Sequence, residues 1–92
     1  MSALPPERAT ELLAERLRDW AIVDGRLRKE WRFADFAAAL AFVNRAGAEC
    51  EKRNHHANFE LGWGRAAATI WTHSVGGLTE ADFELAAALD EL

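Results

Sequence analysis

The stretch WAIVDGRLRKEWRFADF, Trp20 to Phe36, decides the fold, because its period changes within it. Trp20 and Ile22 alternate. Asp24-Gly25 is a two-residue hairpin signal, since both types tolerate the positive φ that a tight β-turn demands. Leu27, Lys29, Trp31 and Phe33 alternate on the return. Lys29 interrupts that apolar face, which predicts a place at a sheet edge. From Phe33 the step becomes three and four: Phe36, Leu40, Val43, Gly47 and Cys50 form one helical stripe. The spacing predicts a helix from about Asp35 to Arg53.

The flanks complete the pattern. Upstream, Pro6 to about Arg18 reads as a helix: proline suits a first turn, Glu7 suits the positive end of the dipole, and Ala9, Leu13 and Leu17 share a face. Downstream, Phe59, Leu61 and Trp63 alternate, and Gly62 and Gly64 mark a turn. Ala66, Ala68, Ile70 and Thr72 continue as a fourth strand that Gly76-Gly77 breaks. Thr79 then reads as a helix N-cap, with Asp82 at the third helical position as in a capping box, and Leu78 and Phe83 as the hydrophobic staple. Leu85, Leu89 and Leu92 carry the apolar face onward. The order is αββαββα, an α+β fold whose economical packing is a four-stranded antiparallel sheet with helices on one face. The other face stays open to a partner subunit or a ligand. Residues 1–92 are read as one domain. The alanine-rich pieces, Ala37–Ala39, Ala66–Ala68 and Ala86–Ala88, are read as close-packing positions.

Bulk properties narrow the function. A net charge of -4 disfavours nucleic acid as the main partner, because phosphate binding needs a basic footprint. A single cysteine, Cys50, excludes an intrachain disulfide and a cysteine-based zinc site, and points to a reducing cytoplasmic setting. No apolar run approaches the ~20 residues of a membrane span, and no secretory signal pattern opens the chain. Half of the residues are apolar, so a core can form. A domain this small gains from association, and Trp31, Trp63 and Trp71 over an uncovered sheet face point to a partner subunit.

The chemistry-bearing residues cluster late in the chain. Glu51, Asn54, His55 and His56 are followed by His73 and Asp82, so every histidine lies in this half. Histidine changes charge near neutral pH, and a neighbouring carboxylate favours the cationic ring. Glu51 and His55 are four apart and pair if the helix continues that far. A hairpin of strands three and four brings the start of one beside the end of the other, which places the three histidines in one cleft. Alone, His55 reads equally as a helix-end residue and Asp82 as a cap. Three histidines with Glu51 form a rival zinc set, but adjacent His-His side chains diverge and no H-x-x-x-H or H-x-H spacing occurs. Cys50 falls on the apolar stripe and reads as an inert core residue.

At this point the sequence resembles the pterin-4a-carbinolamine dehydratase family. Glu51-x-x-x-His55-His56, aromatic Trp63, His73 ten residues beyond and Asp82 nine beyond that match its signature. Phe33-Ala34-Asp35-Phe36, Ala41-Phe42, and Thr72-His73 through Gly76-Gly77-Leu78-Thr79-Glu80 to Asp82-Phe83 extend the likeness, which covers the chain from Trp20 onward. The resemblance implies the same αββαββα fold and loss of water from a 4a-hydroxytetrahydropterin, a hydro-lyase step in tetrahydropterin recycling that needs no metal or organic cofactor. It implies His55 and His73 as the proton-transfer pair, Glu51 as helper to His55, and His56 as a substrate contact. Asp82 orients a histidine, caps the helix, or both. Asn54, Thr72 to Ser74, and Trp20 would border the pterin. Departures are Ala57 in place of the family's usual proline, Phe59 in place of tryptophan, Glu60-Leu61-Gly62 before the aromatic, and Ser74 in place of an acidic residue. Some relatives act by binding proteins instead, as a transcriptional coactivator or an assembly factor for a carbon-fixing enzyme.

Overall fold

The computed structural model describes residues 2–92. The order is α1 (Pro6–Arg16), β1 (Ala21–Val23), β2 (Arg26–Arg32), α2 (Phe36–Arg53), β3 (Asn58–Gly62), β4 (Arg65–Ile70) and α3 (Glu80–Asp90). This is the αββαββα order read from the sequence. The four strands form one antiparallel sheet in the order β1-β2-β4-β3, so β1 and β3 are the edges.

Local chemistry explains both hairpins. Asp24 and Gly25 have φ of 52° and 75°, the two positive values of a type I′ turn, and Val23 pairs with Arg26 across it. At the β3–β4 turn, Gly64 has φ 69°, and a Cβ there would lie 3.0 Å from the Phe33 carbonyl oxygen. The same contact is productive for glycine, because the Phe33 N–H donates to the Gly64 carbonyl at 2.8 Å. Asp35 caps α2, its Oδ1 accepting the Ala38 N–H at 2.8 Å.

The helices pack on one sheet face, but α2 presents a different stripe from the one its large residues suggest. Its buried residues are Ala39, Phe42, Ala46 and Cys50, whereas Phe36 and Leu40 remain 43% and 39% exposed. Ala46 joins the small Ala66 and Ala68 of β4 in one buried cluster, and Ala39 is as fully buried. Small residues on both sides let the helix backbone approach the sheet closely. Phe42 then reaches Trp31 and Phe33, with ring centroids 4.6 and 5.4 Å away. Leu92, read as part of the α3 face, is exposed beyond the helix end. Leu78 and Phe83 are both buried at its start, as the staple reading requires.

Two further expectations change. Lys29 is not at an edge, for β2 lies between β1 and β4. Its stem crosses toward the Trp31 ring and its ammonium pairs with Asp90 at 2.7 Å, which keeps the charge compensated on the helix-facing side. The uncovered face is also not apolar. Glu30 pairs with Arg65 at 2.8 Å and with Arg32 at 2.6 Å, and Arg28 pairs with Glu60 at 3.2 Å. The hydrogen bond from Arg65, opposed by partial desolvation and assisted by the nearby arginines, holds the Glu30 carboxyl below its ordinary range. Exposed apolar surface lies elsewhere, at Phe36, Leu40, Leu61 and Trp63.

Candidate active site

The end of α2 sets the site. Asn54 adopts the left-handed conformation at φ 51° and ψ 41°. The Asn54 N–H bonds the Glu51 carbonyl at 3.2 Å, and the His55 N–H bonds the Cys50 carbonyl at 3.1 Å. This paired closure is a Schellman motif, and asparagine is among the few non-glycine residues that tolerate its bend. The chain therefore leaves the helix sharply at Asn54, and the two adjacent histidines diverge toward different carboxylates. His56 Nε2 bonds the Glu51 carboxylate. His55 Nε2–H donates to Asp82 Oδ1 at 2.6 Å. The expected Glu51–His55 pair is thus replaced, because helical geometry ends at Arg53, two residues before His55.

Asp82 makes both contacts open to it in the sequence, one to a histidine and one at the start of α3. It is fully buried, and three donors converge on its two oxygens. Oδ1 receives His55; Oδ2 receives the Thr79 N–H and the Thr72 hydroxyl, each at 2.8 Å. Thr72 has a single hydroxyl proton and gives it to the carboxylate, so the 2.8 Å contact between Thr72 and Thr79 has the Thr79 hydroxyl as donor. The relay Thr79 to Thr72 to Asp82 to His55 ties the start of α3 to the end of α2. Among the described residues, every buried side-chain nitrogen and oxygen has a partner.

His73 lies beyond the end of β4. The strand stops at Ile70, and Thr72 instead forms an isolated bridge with Gly77 that pinches residues 72–77 into a turn. His73 stacks on Trp71, with ring centroids 4.2 Å apart and planes 15° apart. An open cleft of about 240 Å³ is lined by Asn54, His55 and His56 from one segment and by residues 71–74 from the other. The structure therefore brings together all three histidines, Asn54, Thr72 and Ser74, with Glu51 and Asp82 held against two of the rings. Thr72 lines the cleft, but its hydroxyl is committed to Asp82.

Trp20 does not belong to this group. It is 4% exposed in the core, its ring meets Trp31 edge-on at 5.5 Å, and its Nε1–H donates to both Asp90 oxygens at 3.0 and 3.1 Å. A tryptophan at the start of β1 is carried to the C-terminal end of α3, away from the residues that line the cleft. The lining tryptophan is Trp71, expected from the sequence at a subunit interface. The available signal was its phase: Trp71 falls out of step with Ala66, Ala68 and Ile70 and in step with His73.

Cys50 is buried beneath the loop, as its place on α2 suggested. Burial pushes its thiol up, with the charges of Glu49 and Glu51 adding to that and a bond from the Ala57 backbone opposing it. It is a poor nucleophile in this setting. Among the described residues, no three His, Cys, Asp or Glu side chains converge as a metal-ligand set. No helix is long and apolar enough to cross a membrane. The cleft thus presents imidazoles, two of them backed by carboxylates, which is equipment for moving protons on a small ligand.

Residues 2–92 match the family model described as pterin 4 alpha carbinolamine dehydratase. A protein of Rubrobacter xylanophilus, provisionally named for that activity, is 48% identical over 97% of this chain and 86% of its own length. A similarly named protein of Synechococcus is 36% identical over 100% of this chain and 99% of its own length. Among solved structures, a transcriptional coactivator/pterin dehydratase from Brucella melitensis superposes with a TM-score of 0.88 at 30% identity, covering 98% of this chain and 97% of that one. A pterin dehydratase-like protein described as a RuBisCO assembly factor in the α-carboxysome superposes with a TM-score of 0.65 at 25% identity, covering 78% of this chain and 83% of that one.

Proposed function

The chain belongs to the pterin-4α-carbinolamine dehydratase family, and on that premise we propose that it dehydrates a 4a-hydroxytetrahydropterin to the quinonoid dihydropterin. The observation that carries this reading is the meeting of three histidines on one cleft, two of them tied to carboxylates. In the reaction the C4a–O bond breaks, the hydroxyl leaves as water with an added proton, and N5 loses its proton as the C4a=N5 double bond forms. Protons and electrons balance without a redox partner.

His55 donates the proton to the leaving hydroxyl. Its Nε2 is held by Asp82, so Nδ1 is the nitrogen free of protein partners, and the buried carboxylate compensates the cationic ring before transfer. His73 takes the N5 proton. His56, anchored by Glu51, orients the heterocycle, and Asn54 and Ser74 border it. Solvent at the open cleft returns the proton from His73 to His55. Acid–base catalysis of this kind contributes ~10²–10⁴-fold, which suits a dehydration that also proceeds unassisted.

The role fits tetrahydropterin recycling in the cytoplasm by a homodimer or homotetramer. The exposed Phe36, Leu40, Leu61 and Trp63, and the free edge of β3, support association. The same surface favours a second reading, in which the fold serves as a protein-binding module, as in the assembly-factor neighbour. A stopped-flow absorbance assay of 4a-hydroxytetrahydropterin dehydration separates the two. Acceleration by wild type that is absent in His55→Ala/His73→Ala supports the enzyme. No acceleration by folded wild type rejects it and leaves the binding role.

A further inference from the structure

The three histidines are not held alike. His55 and His56 are each oriented by a carboxylate, but His73 makes no side-chain hydrogen bond among the described residues. What fixes its ring is the stack on Trp71. Trp71 in turn carries the Arg26 guanidinium 3.9 Å from its ring centroid, the closest cation over any aromatic ring among the described residues. The neighbouring arginines Arg28, Arg32 and Arg65 are paired with Glu30 or Glu60, whereas Arg26 forms no ion pair among the described residues. Its partner is the tryptophan.

Register explains the arrangement. Leu27 pairs with Ile70, the last residue of β4, so Arg26 and Trp71, the residues that follow that pair outward, fall on the opposite sheet face from it. His73, two residues on, returns to the side of Trp71. A flat indole is thus braced by a cation from β2 and presents a stacking surface to an imidazole. Stacking occupies the face of the ring and leaves both ring nitrogens, which lie in its plane, free for a substrate proton.

We propose that Trp71 and Arg26 are positioning residues for His73, with Trp71 doing by stacking what carboxylates do for the other two histidines. The proposal rests on the dehydratase reading for its kinetic consequence, but not for its structural one. Proton transfer depends on ring orientation, so loosening the brace lowers kcat and leaves KM largely unchanged.

The test joins turnover to proton NMR of the histidine ring signals, with His73 assigned by the signal lost in His73→Gln. In the wild type, the His73 ring protons are shifted upfield by the indole. Arg26→Gln reduces that shift and lowers kcat by about two- to fivefold, the worth of one exposed cation–π contact. Trp71→Ala abolishes the shift and lowers kcat further; Trp71→Phe, which keeps a flat ring, restores much of both. Arg45→Gln, which removes a cation 6.0 Å from the Phe42 ring outside the cleft, changes neither. Arg26 is exposed, so its variant folds, which a thermal melt verifies. Unchanged His73 ring shifts and kcat in Arg26→Gln overturn the Arg26 role, and native kcat in folded Trp71→Ala overturns the whole proposal. If wild type shows no turnover, the functional reading fails, while the ring shifts still decide whether the stack exists and what holds it.

Discussion

Replacing Asp82 by asparagine separates its two roles, because the amide keeps the shape and halves the acceptors. Three donors meet the carboxylate: His55 Nε2–H, the Thr72 hydroxyl and the Thr79 N–H. Asparagine offers one oxygen and one NH₂. The oxygen settles toward Thr72 and Thr79, where two donors need it. The NH₂ then faces His55 Nε2, and a ring carrying a proton there would set donor against donor. Nε2 of His55 therefore pairs best as an acceptor, with the ring proton on Nδ1, and a ring carrying both protons loses its partner there. Bonds to an ionised acceptor contribute ~1.5–3 kcal/mol against ~0.5–1.5 for neutral ones, so Asp82→Asn costs about 1–2 kcal/mol of stability. For a domain of this size that lowers Tm by about 4–16 °C. The loss of His55 as an acid lowers kcat by about 10²-fold or more. Thermal denaturation gives the first number, stopped-flow dehydration the second, and long-range proton–nitrogen NMR reads the tautomer. A variant whose Tm falls while His55 keeps its Nε2 proton and its rate stays within about threefold of wild type would refute the reasoning, and reduce Asp82 to a cap.

Three other outcomes are expected. His73→Ala loses most of the catalysis yet melts close to wild type, because the ring is exposed and makes no hydrogen bond among the described residues; native activity in that variant removes His73 from proton transfer. The Cys50 thiol, raised by burial, resists a maleimide or disulfide reagent at pH 8 in the folded protein and reacts once denaturant is added; rapid labelling of folded protein contradicts the packing described for it. Glu30 is held below its ordinary value near 4.5, so its ionised form stabilises the fold above that value and the contribution is lost as pH falls through its lower folded value. Glu30→Gln therefore narrows the Tm gap to wild type as the solution is acidified from pH 7, and a gap that widens on acidification reverses the sign of the argument.

The local elements were legible because local chemistry specifies them. Asp24-Gly25 demanded a tight turn whatever surrounded it, and Thr79 with Asp82 announced a helix start. Apolar size alone does not decide which face of α2 is buried. Along that helix two faces qualify, one through Phe36 and Leu40 and one through Ala39, Phe42 and Ala46. Which one wins depends on the partner surface, and a β4 made of Ala66 and Ala68 favours the small residues. The three tryptophans went to three environments: Trp31 against Phe42, Trp71 against His73, and Trp63 75% exposed at the turn.

The members of the site could be named from their spacing, but their pairing could not. Glu51 and His55 stand four apart, which on an unbroken helix is contact distance. One residue in the left-handed conformation, Asn54, sends His55 to Asp82 and leaves Glu51 to His56. By itself the sequence determined the elements, their order, the caps and the set of chemical groups, because each depends on residues within a few positions of one another. Only the tertiary structure decided which helix face is buried, that Trp20 goes to Asp90 and Trp71 to the cleft, and which carboxylate serves which histidine. Those choices depend on distances between segments up to 70 residues apart, which are set by how closely helix and sheet can pack.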